Sequence, residues 1–287
     1  MPQISARDGV RLYYEEAGTG TAAVFVHEYA GDWRSFESQM RHFARSYRCI
    51  SYSQRGYPPS DVPEAAASYS QDIARDDVLA LMDALRIDKA HVVGHSMGAY
   101  TALHVGIAAP ARCISVVAAG CGWGSTPDVK QREAMQALAA ETGKMFAEEG
   151  IEKAAAKYAD APMRQAQKNK DPRGHAEFAR WLAEHSALGH AQTMFNLQLK
   201  RPTLWEMESD LKKFVPPLLV IVGDEDAPCI DGSVFLKRTV PSAGLLVIPR
   251  SGHNIPSEEP AQFNAALAEL FASAEAGRWL AHKPAKG

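Results

Sequence analysis

The chain has 287 residues, of which 46% are apolar and 23% charged, and its formal net charge is −3. That is the balance of a globular protein with a sizeable core, and it offers no basic excess of the kind that binds nucleic acid or an anionic membrane surface. No apolar run approaches the roughly 18–20 residues of a membrane span, and the opening MPQISARDGVRLYYEEAG lacks the basic and apolar regions of a secretory signal. Cys49, Cys113, Cys121 and Cys229 are scattered without C-x-x-C spacing. They predict reduced thiols in a cytoplasmic protein, with Cys121 and Cys229 as small core residues.

Taken in order, VRLYYEE (10–16) reads as a strand after an Asp8-Gly9 turn, and AAVFV (22–26) as a short buried strand broken by HEYAGDW. Phe36, Met40 and Phe43 have helical spacing. RCISYS is a strand ended by the Gly/Pro loop QRGYPPSD. Ser70 can cap a helix whose one face carries Ile73, Val78, Leu81, Met82 and Leu85. AHVVGHS then reads as a strand, MGAYTALHVGIAA as a helix and CISVVAAG as a strand. This alternation of continuous apolar strands with amphipathic helices implies a parallel sheet covered on both faces.

The rhythm stops between Ser125 and Phe214, where Val129 and Ile151 are the only Val or Ile residues and four prolines punctuate helical periodicity. This stretch predicts an all-helical insertion of four or five helices. The sheet pattern resumes with PPLLVIVGDED, a helix near 231–239, the strand GLLVIP, and RSGHNIPSEEP. A last helix carries Phe263, Leu267, Leu270 and Phe271 on one face. The domain plan is therefore a core over 1–124, a helical cap over 125–214, the rest of the core over 215–276, and a fraying tail over 277–287.

The segment VVGHSMGAY places Ser96 between Gly94 and Gly98 where a strand turns directly into a helix. Such a turn forces the central residue into a strained backbone, and side chains two residues to either side would clash, so glycine stands at both positions. Ser96 Oγ then projects beyond the end of its strand, beside the positive end of the following helix. A serine hydroxyl needs a base to remove its proton during attack, and the base needs an acceptor to fix its tautomer. His253, after the last strand, is the candidate base. Asp226, after LLVIVG, is the candidate acceptor, with Asp224 as its neighbour in GDED.

With GHSMG, VGDED, SGHNIPSEEP and SQRGYPPSD in this order, the sequence resembles the α/β-hydrolase superfamily over about 8–125 and 215–274. The resemblance implies an α/β fold with a mostly parallel eight-stranded sheet, helices on both faces, and a helical cap inserted after the sixth strand. It favours Asp226 over Asp224, because the family's acid stands three residues after the glycine. It also implies an oxyanion hole built from the backbone N–H groups of Met97 and Tyr29.

Relatives usually carry His-Gly before the residue in the Tyr29 position, whereas this chain reads His27-Glu28. Glu28 is either a carboxylate on the acyl pocket, repelling anions or binding a cationic group, or it points away to backbone or to Arg55; the second reading is favoured. Ser53 replaces a frequent acidic residue and concerns loop anchoring. Trp123 is the candidate pocket wall, whereas Met163, Met194, Phe195, Trp205 and Met207 read individually as cap core. No catalytic role is expected of His95. His27, Glu28 and Asp32 fit no metal template, and the triad requires neither metal nor cofactor.

The expected activity is hydrolysis of carboxylic esters or lactones of small, fairly apolar substrates through an acyl-enzyme on Ser96. Hydrolysis of carbon–carbon bonds in vinylogous diketones and cofactor-free haloperoxidase or perhydrolase activity use the same triad. Epoxide hydrolase and haloalkane dehalogenase are disfavoured, since both resemblances require aspartate in place of Ser96. A slow-turnover ligand receptor is the alternative of another class, and the His27-Glu28 loop is its one support. The expected partner is a small-molecule substrate, and the sequence does not decide between a monomer and a homo-oligomer.

Overall fold

Short runs of Val, Ile and other apolar residues form the strands of a computed structural model that describes residues 2–281. The strands are β1 (Gln3–Ser5), β2 (Arg11–Ala17), β3 (Ala22–Val26), β4 (Arg48–Tyr52), β5 (Ala90–His95), β6 (Cys113–Ala119), β7 (Leu218–Gly223) and β8 (Ala243–Ile248). They make one eight-stranded sheet in the order β1-β2-β4-β3-β5-β6-β7-β8. The β1–β2 and β2–β4 pairs are antiparallel, and the rest of the sheet is parallel. β3, β5 and β7 are buried along their whole length, as parallel strands covered on both faces must be.

Alternation along the strands divides the core in two. Val24, Val26 and Val92 face one cluster, completed by Val78 and Leu81 of α2 (Gln71–Ala84) and Leu103 of α3 (Met97–Ala108). Phe25, Val93 and Val117 face the other, with Met40 of α1 (Glu37–Phe43) and Phe263, Leu267, Leu270 and Phe271 of the last helix. Each of these four fully buried side chains contributes about 1.5–3 kcal/mol, as an upper estimate. Ser70 caps α2 as expected, its hydroxyl accepting from Ile73 N at 3.2 Å.

Between β6 and β7 the chain makes a helical excursion without a strand. It comprises α4 (Val129–Glu149), α5 (Ile151–Ala159), α6 (Gln165–Lys170), α7 (Pro172–Ala183), α8 (Ala187–Thr193) and the one-turn α9 (Glu208–Leu211). α8 runs on into a π-helical turn, Met194–Gln198. Asp128 and Asp171 cap α4 and α7 through Gln131 N and Gly174 N, both at 2.9 Å. After β7 come α10 (Ala227–Thr239), α11 (Ile255–Glu258) and α12 (Pro260–Glu275).

Three details differ from the sequence reading. β1 has only three residues, too few for alternation to register. α10 begins at Ala227 rather than near 231, with Pro228 in its first turn, where a missing N–H is harmless. The tail does not fray directly after Ala276: Trp279 Nε1 donates to Ser242 O at 2.7 Å, and its ring packs over Gly244. Residues 282–287 of the expected tail lie outside the described residues.

Candidate active site

Ser96 joins β5 to α3 with φ 53° and ψ −111°, a left-handed strained conformation for a residue with a side chain. The flanking glycines are required by contact. A Cβ on Gly94 would come to 2.1 Å from Gly98 O, and one on Gly98 to 2.0 Å from Val26 O. Ser96 N donates to Ala119 O at 2.7 Å, which ties the elbow to the neighbouring strand.

The loops after β7 and β8 bring the other two residues to the same edge of the sheet. His253 Nε2 lies 2.8 Å from Ser96 Oγ, and His253 Nδ1 lies 2.8 Å from Asp226 Oδ2. Asp224 stays outside this chain and accepts from Ser251 N in the turn. Burial alone would raise the Asp226 carboxyl, but His253 beside it prevails and holds it below the usual range. Burial would likewise lower the His253 imidazole, yet Asp226, with Glu28 adding to it, raises it above 6.5.

The histidine loop is held from two further sides. Glu258 of α11 is buried and accepts from Gly252 N at 2.6 Å and Asn254 N at 3.0 Å, the N–H groups that flank His253. His95 Nε2 donates to His253 O at 2.7 Å. Burial pushes the His95 ring down to about 4, so it stays neutral while donating. His95 thus supports the His253 backbone. Its proximity to Ser96 in the chain does not signal this, because the accepting carbonyl belongs to the loop after β8, 158 residues on.

The loop after β3 is held through His27. Its Nε2 accepts from Gln54 N at 2.9 Å, so Nδ1 carries the proton toward Glu28 O at 2.6 Å. Gln54 Nε2 returns a bond to His27 O at 2.9 Å. At Ser53 only the backbone anchors the loop: its carbonyl accepts from Ser60 Oγ at 2.6 Å, while its buried hydroxyl has no protein partner among the described residues. The backbone N–H groups of Tyr29 and Met97 donate to no protein acceptor among the described residues.

Glu28 points away from the cavity, as the favoured reading has it, but to a different partner. It does not line the cavity, and Arg55 is not its partner, since Arg55 is taken by Asp77 at 2.7 Å and by Asp8 at 2.7 Å. Both Glu28 oxygens instead receive Arg164 of the helical excursion, Nη1 at 2.7 Å and Nη2 at 2.5 Å. Burial would raise the Glu28 carboxyl, but Arg164 brings it down to about 2.

Ser96 and His253 open onto a cavity of about 480 Å³. Trp123, Met145, Tyr158, Met163 and Met194 supply apolar wall, and Arg201 and Glu225 supply polar groups. Trp123 stands where expected, and Met163 and Met194 join it. Phe195 instead packs on Gly143, Trp205 stacks on Phe235 with centroids 4.4 Å apart, and Met207 is core. Among the described residues, Asp226, Cys229 and His253 form a cluster that could hold a metal, with ligand atoms within 4.8 Å of one another. A metal there would have to displace the His253–Asp226 hydrogen bond. The sequence reading placed Cys229 only as core. It is buried, but its Sγ also lies 3.9 Å from His253 Nδ1.

A sheet of this order, carrying a serine elbow, an acid loop and a histidine loop at one edge, defines a class of hydrolase. Residues 23–266 match the alpha/beta hydrolase family, and the chain belongs to it. It is 38% identical over 95 residues to epoxide hydrolase 1 of Caenorhabditis elegans, covering 32% of this chain and 24% of that protein. It is 32% identical over 149 residues to 3-oxoadipate enol-lactonase 1 of Acinetobacter baylyi, covering 48% of this chain and 55% of that protein. The chain thus spans a quarter to a half of these curated relatives. Among solved structures, an N-acyl homoserine lactone degrading enzyme is similar with a TM-score of 0.76 and 26% identity, covering 93% of this chain and 99% of that one. No helix among the described residues is long and apolar enough to cross a membrane.

Proposed function

We propose that the protein hydrolyses carboxylic esters or lactones of small, fairly apolar substrates through an acyl-enzyme on Ser96. The observation that carries this reading is the chain of two 2.8 Å contacts, Ser96 Oγ to His253 Nε2 and His253 Nδ1 to Asp226 Oδ2, opening onto the apolar cavity. In the first half-reaction Ser96 Oγ attacks the carbonyl while His253 takes its proton, and Asp226 holds the imidazolium. The N–H groups of Tyr29 and Met97 receive the oxyanion. His253 then protonates the departing alkoxide, and a water activated by the same base releases the acid.

Lactone hydrolysis is supported by the similarity to the enol-lactonase and to the homoserine-lactone degrading enzyme. The epoxide hydrolase similarity carries no such weight, because that reading needs an aspartate at the elbow and Ser96 stands there. The four unpaired thiols fit a reducing, cytoplasmic setting.

The test is intact-mass analysis after a fluorophosphonate, beside Ser96→Ala, followed by a panel of esters and lactones. A single adduct that disappears in the variant, with turnover on the panel, is expected. A folded parent protein that takes no adduct would refute the hydrolase reading. An adduct with one slow turnover and a retained product would favour a receptor instead.

A further inference from the structure

Two loops that carry the groups assigned to the reaction, His27–Tyr29 and Ser251–Asn254, meet a single segment of the helical excursion, residues 162–170. Arg164 is fully buried there, with its two terminal nitrogens on the two Glu28 oxygens. Its guanidinium lies between the rings of Tyr158 and Phe178, 5.2 and 4.7 Å from their centroids. Two and three residues on, Ala166 abuts Gly252, and Gln167 Oε1 accepts from Asn254 Nδ2 at 2.9 Å.

A buried ion pair of this kind gains little stability over an apolar contact, since both ions lose their water. What it adds is geometry and field. The planar fork admits one orientation of the Glu28 carboxylate, and Glu28 is covalently next to the Tyr29 N–H. Its two charges also act on His253 in opposite senses, Glu28 favouring the imidazolium and Arg164 disfavouring it.

We propose that Glu28 and Arg164 are a positioning pair for the Ser96 reaction. Their fork fixes the loop that presents the Tyr29 N–H, and their opposed charges balance the field at His253. The proposal rests on the serine-hydrolase reading. The other groups that face His253 are Asp226 and Cys229 after β7, His95 at the end of β5, and Glu258 of α11. Of these, His95 and the Cys229 thiol stay neutral through burial.

The experiment compares the parent with Glu28→Gln, Arg164→Met and Arg164→Lys. It measures the fluorophosphonate acylation rate, kcat and KM on an activated ester, and the His253 ring-proton NMR titration. Glu28→Gln leaves the Arg164 cation unopposed and lowers the His253 midpoint. Arg164→Met removes the cation that keeps the buried Glu28 carboxyl ionised, so the carboxyl takes up a proton, both charges are lost together and the midpoint stays near the parent's. Both slow acylation by about 10²–10³-fold, the loss that follows from one missing oxyanion donor, with KM little changed. Arg164→Lys keeps the charge but not the fork, so its midpoint stays near the parent's while acylation slows.

Folded variants that acylate at the parent's rate, or a Glu28→Gln variant whose midpoint does not fall, overturn the proposal. If the single variants fail to fold, Glu28→Gln/Arg164→Met strands no charge and replaces them. Slow acylation at a parental midpoint then supports the pair, and parental acylation refutes it. A parent that takes no adduct defeats the hydrolase reading, and the NMR midpoints still decide the charge balance by the same criteria.

Discussion

Replacing Glu258 by alanine tests how the base is held. The carboxylate accepts from Gly252 N at 2.6 Å and from Asn254 N at 3.0 Å, and both residues are buried. The substitution strands two buried donors, each costing about 1–3 kcal/mol, or about 2–6 kcal/mol together. Burial already holds the Glu258 carboxyl above its usual range, so removing it also relieves a desolvation cost. The expected net loss is therefore toward the lower half, about 2–4 kcal/mol.

In urea, with a slope of about 3 kcal/mol/M for a chain of this size, the unfolding midpoint falls by roughly 1 M. Because the two donors flank His253, kcat on an activated ester falls as well, while KM changes little. Glu258→Gln is intermediate in both, since its amide oxygen serves one donor and its NH₂ group opposes the other. An alanine variant within roughly 0.2 M urea of the parent midpoint, with unchanged kcat, would refute this account of the loop.

Three further outcomes follow from the same geometry. His253 acts as a base only when neutral and Asp226 raises it, so kcat/KM declines as pH falls through a midpoint above 6.5; a pH–rate profile with its acid limb below 6.5 would contradict this. In Asp226→Asn that midpoint moves down, with kcat lower by about 10⁴-fold. Gly98→Ala drives a methyl group to 2.0 Å from Val26 O, a backbone atom that cannot swing aside. A loss of roughly 3 kcal/mol or more in urea unfolding is expected, together with loss of fluorophosphonate labelling. A stable, labelled variant would show that the elbow is looser than described.

Much of the framework was legible in the chain. The strand AAVFV has the boundaries read from its apolar run, and Ser70 caps α2 as its position implied. The elbow was legible for a steric reason: a strand-to-helix turn around a serine leaves room only for Gly94 and Gly98, and both demands lie within five residues. That Asp226 and His253 approach Ser96 also follows from sequence order, because parallel strands deliver their following loops to one edge of the sheet.

The partner of Glu28 was not legible. Arg164 lies 136 residues away, in a stretch whose periodicity marks helices but not how they dock, so the reading that turned Glu28 away from the pocket could offer it only backbone or Arg55. Nothing in the chain singles out Glu258 from Glu259 beside it until α11 turns it back on the histidine loop. Cys229 reads as core until α10 carries it past His253. Local sterics and side-chain period therefore determined the sheet, the elbow and the triad's order. The contacts that hold the His253 loop and the His27–Tyr29 loop were decided only by the tertiary structure, since each joins groups from separate elements whose relative placement depends on packing across the whole chain.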